Sequence, residues 1–296
     1  MQDFISIGCG ALVGFFLGLT GGGGSILAVP LILYVTGIGD AHLAIGTGAA
    51  TVLGSALLNL FSHARKGKVR WKFASIFALA GVVGVASGST LGKETNGQLL
   101  LGLLALLMLV IAWRMQRRTQ QAEDGMLPLT PAVAFKLAAT AVAVGFLAGF
   151  FGIGGGFLIV PGLIFASRMA TIDAIGSSLL CITAFSSMTT LNYASSHLVS
   201  WHVALDYLIG GLFGSQFGPR LAQHLAHRRD TLNRMFGGVL VMAACYILCR
   251  TAVPVVGHSP APFNPIQTPQ PGVPVEARRP ALPLPAQTSD TALHNT

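Results

Sequence analysis

The sequence contains very few charged residues, and this excludes most classes of soluble protein. Asp, Glu, Lys and Arg make up 9% of the 296 residues, whereas hydrophobic residues make up 52%. A typical soluble domain carries about 25% charged residues. The net charge of +8 would suggest nucleic-acid binding in a soluble protein. Here the basic residues lie in loops between apolar runs, where they set membrane topology. The composition therefore predicts a protein embedded in a lipid bilayer that binds no nucleic acid.

The centres of the apolar runs contain no charged residue. Asp206 and Arg220 lie near the ends of one run, and Lys136 lies near the start of another. Cation pathways and central proton relays within membranes use buried ionisable side chains. Their absence argues against both, and a transporter of cations or metals stays a minor alternative.

Cysteines and catalytic motifs are scarce as well. The four cysteines lie inside apolar runs, at Cys9, Cys181, Cys245 and Cys249, and we interpret them as core residues rather than metal ligands. The chain has no GxSxG, HExxH or P-loop motif. Its N-terminus lacks the basic region of a cleaved signal peptide. We expect no enzyme activity, no metal and no cofactor.

Apolar segments of membrane-spanning length are abundant instead. Six are near the roughly 20 residues that cross a bilayer core, and the first and fifth are longer. The fold class is therefore predicted to be an all-α integral membrane protein. The chain contains about eight such segments, at 4–35, 41–62, 73–91, 97–113, 133–167, 174–196, 203–222 and 232–253.

The two longer segments repeat one another. GFFLGLTGGGGSILAVPLILY at 14–34 aligns without a gap with GFLAGFFGIGGGFLIVPGLIF at 145–165, at an offset of 131 residues. Paired glycine-broken segments in the two halves of a membrane protein point to a transporter's binding site. The repeat continues with AIGT at 44–47 and AIGS at 174–177, and with VxW at 69–71 and 199–201.

The repeat divides the chain into two halves and a tail. Residues 1–113 form the first transmembrane repeat and residues 133–253 the second, joined by a cytoplasmic linker at 114–132. Residues 254–296 contain ten of the fifteen prolines. A stretch with so few large apolar residues cannot offset its chain entropy by burial, so we predict a disordered tail.

The positions of the basic loops predict that the halves are inverted. Cytoplasmic loops are enriched in Lys and Arg, and the basic loop changes place between the repeats. Inversion requires each broken segment to enter and leave on the same side, as two half-helices of about 24 and 20 Å in the first copy. Both termini are then external. The alternative is eight plain crossings with both termini cytoplasmic. The basic loops hold Arg65, Lys66, Lys68, Arg70 and Lys72 in the first half and Arg228, Arg229 and Arg234 in the second.

The glycine clusters are the candidate substrate site. A glycine run inside a helix costs about 1 kcal/mol per residue relative to alanine, and in lipid it is tolerated where backbone lines a cavity. Helices restarting at Ser25 and Gly156 would present unpaired N–H groups at positive dipole ends, which suits an anion. The alternative is close helix packing through small residues. The candidate amides are those of Gly22, Gly23, Gly24, Ser25, Gly154, Gly155 and Gly156.

Side chains near the clusters are further candidates. Thr47 and Ser177 begin equivalent helices and could line the cavity, or they could bond to their own backbone. Asn59 and Asn192 lie late in the second and sixth segments. Each would contact substrate or bond a neighbouring helix, because a buried amide in lipid needs a partner. A coupling proton could pass through the interfacial His63 and His197.

These motifs resemble the TauE/SafE sulfite exporter family of membrane permeases. The resemblance rests on the paired glycine motifs, the following Pro30 and Pro161, the AIGT and AIGS helix starts and the repeated VxW, and it covers about residues 4–250. It implies transport of a small sulfur-containing anion such as sulfite, thiosulfate or an organosulfonate across a bacterial inner membrane. Ile153 stands where the first copy has Gly22, so the halves are not equivalent.

The sequence thus predicts a multi-pass secondary transporter for a small anion, in which one half moves against the other. The alternative is a membrane scaffold or assembly protein that carries nothing and binds partners through its Pro-rich tail.

Overall fold

The structure is a computed structural model that describes residues 2–20, 24–65, 67–117, 127–224 and 229–252. Within these ranges every regular element is a helix, which confirms the predicted all-α class. The tail at 254–296 and residues 118–126 of the linker lie outside the described residues. The helices are α1 (Gln2–Thr20), α2 (Ser25–Tyr34), α3 (Ala41–Arg65), α4 (Trp71–Glu94), α5 (Gly97–Arg117), α6 (Pro131–Phe151), α7 (Gly156–Ser167), α8 (Thr171–Ala194), α9 (Trp201–His224) and α10 (Arg229–Ala252).

Four helices in the described part of the chain are long and apolar enough to cross a membrane, namely α3, α4, α6 and α8. Helix α6 has 21 residues and begins two residues before the predicted apolar segment 133–167. Pro131 occupies its first turn and the Thr130 hydroxyl accepts the Val133 amide. This cap starts the helix a full bilayer thickness before the glycines.

Helices α6 and α7 form an antiparallel hairpin. Gly155 lies against Ala148, and about two turns later Gly162 lies against Val144. The Lys136 ammonium lies 4.2 Å from the Phe165 ring centroid. At the open end, the Leu127 amide donates to the Ser167 carbonyl at 3.1 Å. The segment therefore ends beside the point where it begins.

The two halves pack reciprocally through their first and fourth helices. Helix α1 packs against α9, and its repeat equivalent α6 packs against α4. A Cβ atom built on Gly14 would lie 2.3 Å from the Gly211 carbonyl oxygen, and one on Gly145 would lie 2.2 Å from that of Gly81. Contact this close is possible only where both helices carry small residues.

The equivalent helices α3 and α8 lie against each other and run antiparallel. A Cβ on Gly46, near the start of α3, would lie 2.0 Å from the Leu198 carbonyl oxygen just beyond α8. A Cβ on Gly176, near the start of α8, would lie 2.2 Å from that of Lys68 just beyond α3. Each helix thus begins where the other ends, and α4 and α9 flank the pair.

Helices α5 and α10 pack on each other, with fewer contacts to the other helices. At the starts of α4 and α9, the repeat-equivalent Trp71 and Trp201 are 53% and 59% exposed. Exposed tryptophans at helix ends are typical of membrane interfaces.

Candidate functional site

The second glycine cluster forms the turn between α6 and α7. Gly152, Gly154 and Gly155 have φ angles of 64°, 68° and 68°, which residues with a Cβ rarely adopt. All of 152–156 is buried. Three left-handed residues within four positions let the chain reverse in a short turn, which explains why glycine recurs here.

The same glycines pack tightly against α3 and α8. A Cβ on Gly152 would lie 2.0 Å from Ile45 Cγ2 of α3. A Cβ on Gly154 would lie 2.4 Å from Ser186 Oγ of α8 and 3.0 Å from Val52 Cγ1 of α3. The turn is therefore inserted where these two central helices meet, and any side chain would push them apart.

Helix α7 begins at Gly156, the position predicted from the sequence, and its N-terminus is buried without a side-chain cap. The Leu158 and Ile159 amides both donate to the Gly155 carbonyl at 2.9 Å. Within the described part of the chain, the Gly154 and Gly155 amides, ahead of the helix, have no acceptor. A buried helix start carries about half a positive charge with little solvent to screen it.

Helix α2 begins at the equivalent position, Ser25, also as predicted. Gly24 and Ser25 are buried and no side chain caps the helix. A Cβ on Gly24 would lie 2.3 Å from the Leu17 amide nitrogen of α1, so this start is pressed against the preceding helix. Gly22 and Gly23 lie outside the described residues.

Helix α3 contacts both glycine-broken segments. Gly48 faces Val29 and Ile32 of α2, whereas Ile45 and Val52 contact the α6–α7 turn. The structure therefore brings the two segments to one central helix, as a shared site would require.

Thr47 and Ser177 hold loops of the opposite half. The Thr47 hydroxyl donates to the Leu43 carbonyl and accepts the Ser200 amide at 2.9 Å, just before α9. The Ser177 hydroxyl accepts the Arg70 amide at 2.9 Å, just before α4. Both hydroxyls are fully buried. Thr47 therefore bonds to the backbone of its own helix, which was one of the two predicted alternatives. It also contacts a loop of the other half, which the sequence did not indicate.

Asn59 and Asn192 have different partners. The Asn59 amide group donates to the Ser55 carbonyl of its own helix at 2.9 Å. Asn192 accepts from the Lys93 ammonium at 2.7 Å and donates to Ser89 Oγ at 2.6 Å, joining α8 to the end of α4. Asn192 lies more than a turn of α8 beyond Ser186, the residue beside Gly154.

The two histidines lie away from the turn. His63 Nδ1 is 3.0 Å from the Asn59 carbonyl oxygen, at the end of α3. His197 is exposed in the loop between α8 and α9, where its φ of 57° is left-handed.

Three hydroxyls that the sequence did not indicate lie on α8, and the first of them, Ser186, lies beside the turn. Ser186, Thr189 and Thr190 of α8 are buried, and among the described residues their hydroxyl oxygens have no hydrogen-bond partner. Leaving a buried polar group unpaired costs about 1–3 kcal/mol. The only signal in the sequence is their i, i+3, i+4 spacing, which places them on one helix face.

Glycine-broken helical segments repeated in two halves and packed within apolar membrane-length helices define the protein as a multi-pass membrane transporter. The chain belongs to the sulfite exporter TauE/SafE family, which matches residues 6–247.

Similar proteins in bacteria and archaea are named probable membrane transporter proteins. A probable membrane transporter protein of Xylella fastidiosa (strain Temecula1) is 48% identical over 250 residues, covering 83% of this chain and 95% of the relative. One of Bacillus subtilis, YunE, is 24% identical over 269 residues, covering 84% and 98%. One of Methanocaldococcus jannaschii is 25% identical over 250 residues, covering 76% and 91%. No solved structure matches the chain.

Proposed function

We propose that the protein is a secondary transporter that moves a small sulfur-containing anion, such as sulfite, thiosulfate or an organosulfonate, across the inner membrane. The observation that supports this most directly is the buried, uncapped start of α7 behind its glycine turn, with an equivalent start at α2. Helix N-termini bind anions through backbone amides and the helix dipole. Two of them offer about one positive charge in sum, which favours a monoanion, such as an organosulfonate or hydrogensulfite, over a dianion such as thiosulfate.

In this proposal the anion is held between the two glycine-broken segments. The amides of Gly22, Gly23, Gly24 and Ser25 face it on one side, with those of Gly154, Gly155 and Gly156 on the other. Thr47 and Ser177 shape the pocket from the starts of α3 and α8. Asn59 and Asn192 act near the other ends of the same two helices, where a coupling proton at His63 or His197 would also pass.

We also propose that the two halves are inverted repeats in the membrane. The antiparallel contact between the equivalent α3 and α8 supports this, because two equivalent spanning helices that run in opposite directions belong to oppositely oriented halves. The return of α7 along α6 gives each half three net crossings, made by α3–α5 and α8–α10. The termini are then external and the linker 114–132 is cytoplasmic, consistent with the basic loops. Rocking of one half against the other would alternate access.

Ligand-induced stabilisation of the full-length protein in detergent tests the function. Sulfite, thiosulfate, methanesulfonate, sulfoacetate, sulfate, phosphate and chloride would be compared at equal ionic strength. A ligand that binds only the folded state stabilises it by about 2.7 kcal/mol at one hundred times its Kd. We expect selective stabilisation by a sulfur oxyanion, followed by uptake of the same anion into vesicles containing the protein. If none of the sulfur oxyanions raises the melting temperature or is taken up, the proposed function is wrong.

A further inference from the structure

Helix α8 carries five hydroxyl side chains within two turns, and they fall into two groups. Thr183 and Ser187 donate to the Leu179 and Thr183 carbonyls, at 2.8 and 2.7 Å. Ser186, Thr189 and Thr190 lie on the adjoining face, at 0%, 0% and 6% exposure, and have no partner among the described residues. A buried hydroxyl beside its own helix can usually bond to the carbonyl one turn earlier. These three do not, so their O–H groups can donate hydrogen bonds to a bound ligand.

The side chain of Ser186, a residue of α8, lies beside the start of α7. Its Oγ is the nearest heavy atom to the position of a Cβ on Gly154, at 2.4 Å, and the other close contacts there are the apolar Val52 and Ile182. Thr189 and Thr190 follow at about 4.5–6 Å along α8, at 1.5 Å per residue. An unpaired hydroxyl and a buried helix N-terminus therefore meet at one point, and two more hydroxyls continue one turn further.

The donors at this point suit an oxyanion of low charge. Hydroxyl and backbone N–H groups both donate hydrogen bonds, and the helix dipole adds a partial positive charge. The side chains that contact Gly154 carry no formal charge. A dianion would lose more hydration than such a site returns, whereas chloride has no separate oxygens to engage several directional donors.

The hydroxyl set belongs to one half of the protein. The repeat equivalents of Ser186, Thr189 and Thr190, at an offset of 130 residues, are Ala56, Asn59 and Leu60. A role in packing common to both halves would be expected to preserve the small hydroxyl side chains in both. Helix α3 also has a buried hydroxyl without a partner among the described residues, at Ser55, but its Oγ faces Gly211 of α9. A hydroxyl of this kind beside the start of α7 is therefore a feature of α8.

We propose that Ser186, with Thr189 and Thr190, binds the oxygens of a monovalent sulfur oxyanion at the N-terminus of α7 and sets the preference for it over dianions and halides. This inference rests on the proposed function and specifies which side chains recognise the cargo.

The test compares variants of the unpaired hydroxyls with variants of the paired ones. Ser186→Ala and Thr189→Val remove unpaired hydroxyls, whereas Ser187→Ala and Thr183→Val remove hydroxyls already bonded within α8. Each full-length variant is purified in detergent, and its melting temperature without ligand and its Kd for methanesulfonate, sulfite and sulfate are measured.

We expect Ser186→Ala and Thr189→Val to weaken methanesulfonate binding roughly tenfold or more, since each removes a hydrogen bond to a charged group. Their melting temperatures without ligand should stay the same or rise, because an unpaired buried hydroxyl stabilises nothing. The two control variants should keep the wild-type Kd.

Three results would overturn the inference. If wild type binds methanesulfonate or sulfite and all four variants bind it equally well, the hydroxyls are not ligands although the proposed function stands. If Ser186→Ala and Thr189→Val lose affinity only in proportion to a lower melting temperature without ligand, their role is structural. If wild type binds no sulfur oxyanion, the proposed function and this inference fail together.

Discussion

The hydroxyl of Thr47 accepts the backbone amide of Ser200 at 2.9 Å, 153 residues along the chain. Ser177 does the same for Arg70 at 2.9 Å, which is the equivalent pair after exchange of the two halves. Each half thus uses the second turn of its central helix to position the start of a helix in the other half. Both bonds join one half to the other. If the halves rock against each other during transport, these two bonds would lie at the pivots of the motion.

Removing either of these hydroxyls should destabilise the protein. Thr47→Val and Ser177→Ala each leave a backbone amide without its partner, at a cost of about 1–3 kcal/mol. Thr47→Ser keeps the hydroxyl and should stay close to wild type. Melting temperatures of the detergent-purified proteins measure the effect. Equal melting temperatures for Thr47→Val and Thr47→Ser would show that the bond contributes nothing.

Asn192 should matter more for stability than Asn59. Asn192→Leu removes an acceptor from the Lys93 ammonium and a partner from the Ser89 hydroxyl across the α4–α8 interface. Asn59→Leu removes a bond within one helix. We expect a loss of about 1–3 kcal/mol for the first and less than about 1 kcal/mol for the second. Thermal unfolding of the two variants without ligand gives the comparison, and a larger loss for Asn59→Leu would contradict it.

Gly154 should not tolerate even a methyl group. Gly154→Ala has two costs. A residue with a Cβ pays about 1–2 kcal/mol for a left-handed backbone, and its Cβ would lie 2.4 Å from Ser186 Oγ.

Gly37 is the matched control for this substitution. Its φ is 75° and nothing lies within 4 Å of a Cβ there, so Gly37→Ala carries the backbone cost alone. We expect the melting temperature to fall clearly further for Gly154→Ala than for Gly37→Ala. Equal losses would mean that α8 adjusts freely and that the close packing of the turn is unimportant.

The inverted arrangement predicts opposite accessibility for two equivalent positions. Arg65 ends α3 and Ser195 follows α8, 130 residues later, and both are exposed. With the four native cysteines replaced, Arg65→Cys should react with a membrane-impermeant thiol reagent from the cytoplasmic side only, and Ser195→Cys from the external side only. Labelling of intact cells and of inverted vesicles distinguishes the sides. Reaction of both residues from the same side would rule out inversion.

Much of the fold follows from patterns within the chain, because each half serves as a reference for the other. The glycine runs and the repeat correctly locate the starts of α2 and α7, since a helix cannot continue through consecutive glycines without large cost. Helix α6 begins two residues before the predicted segment 133–167, because the cap formed by Thr130 and Pro131 lies outside the repeated motif.

The candidate site is only partly predictable. Thr47, Thr183, Ser186, Ser187 and Thr189 are alike in the sequence, each a small hydroxyl in an apolar helix. Their partners depend on which rotamer the neighbouring helices permit, and that is a property of the packed halves rather than of local sequence. Lys93 shows the same limit, since its contact with Asn192 joins residues 99 positions apart.

The packing of α1 against α9 has a consequence for how the protein is made. Helix α1 carries the glycine face that fits Gly210, Gly211 and Gly214, and seven helices, α2–α8, separate it in the chain from its partner α9. Residues 21–200 must therefore be synthesised before α1 can reach its final neighbour. Until then the membrane insertion machinery, or lipid alone, must cover the glycine face of α1. The order in which the helices are synthesised therefore differs from the order in which they pack.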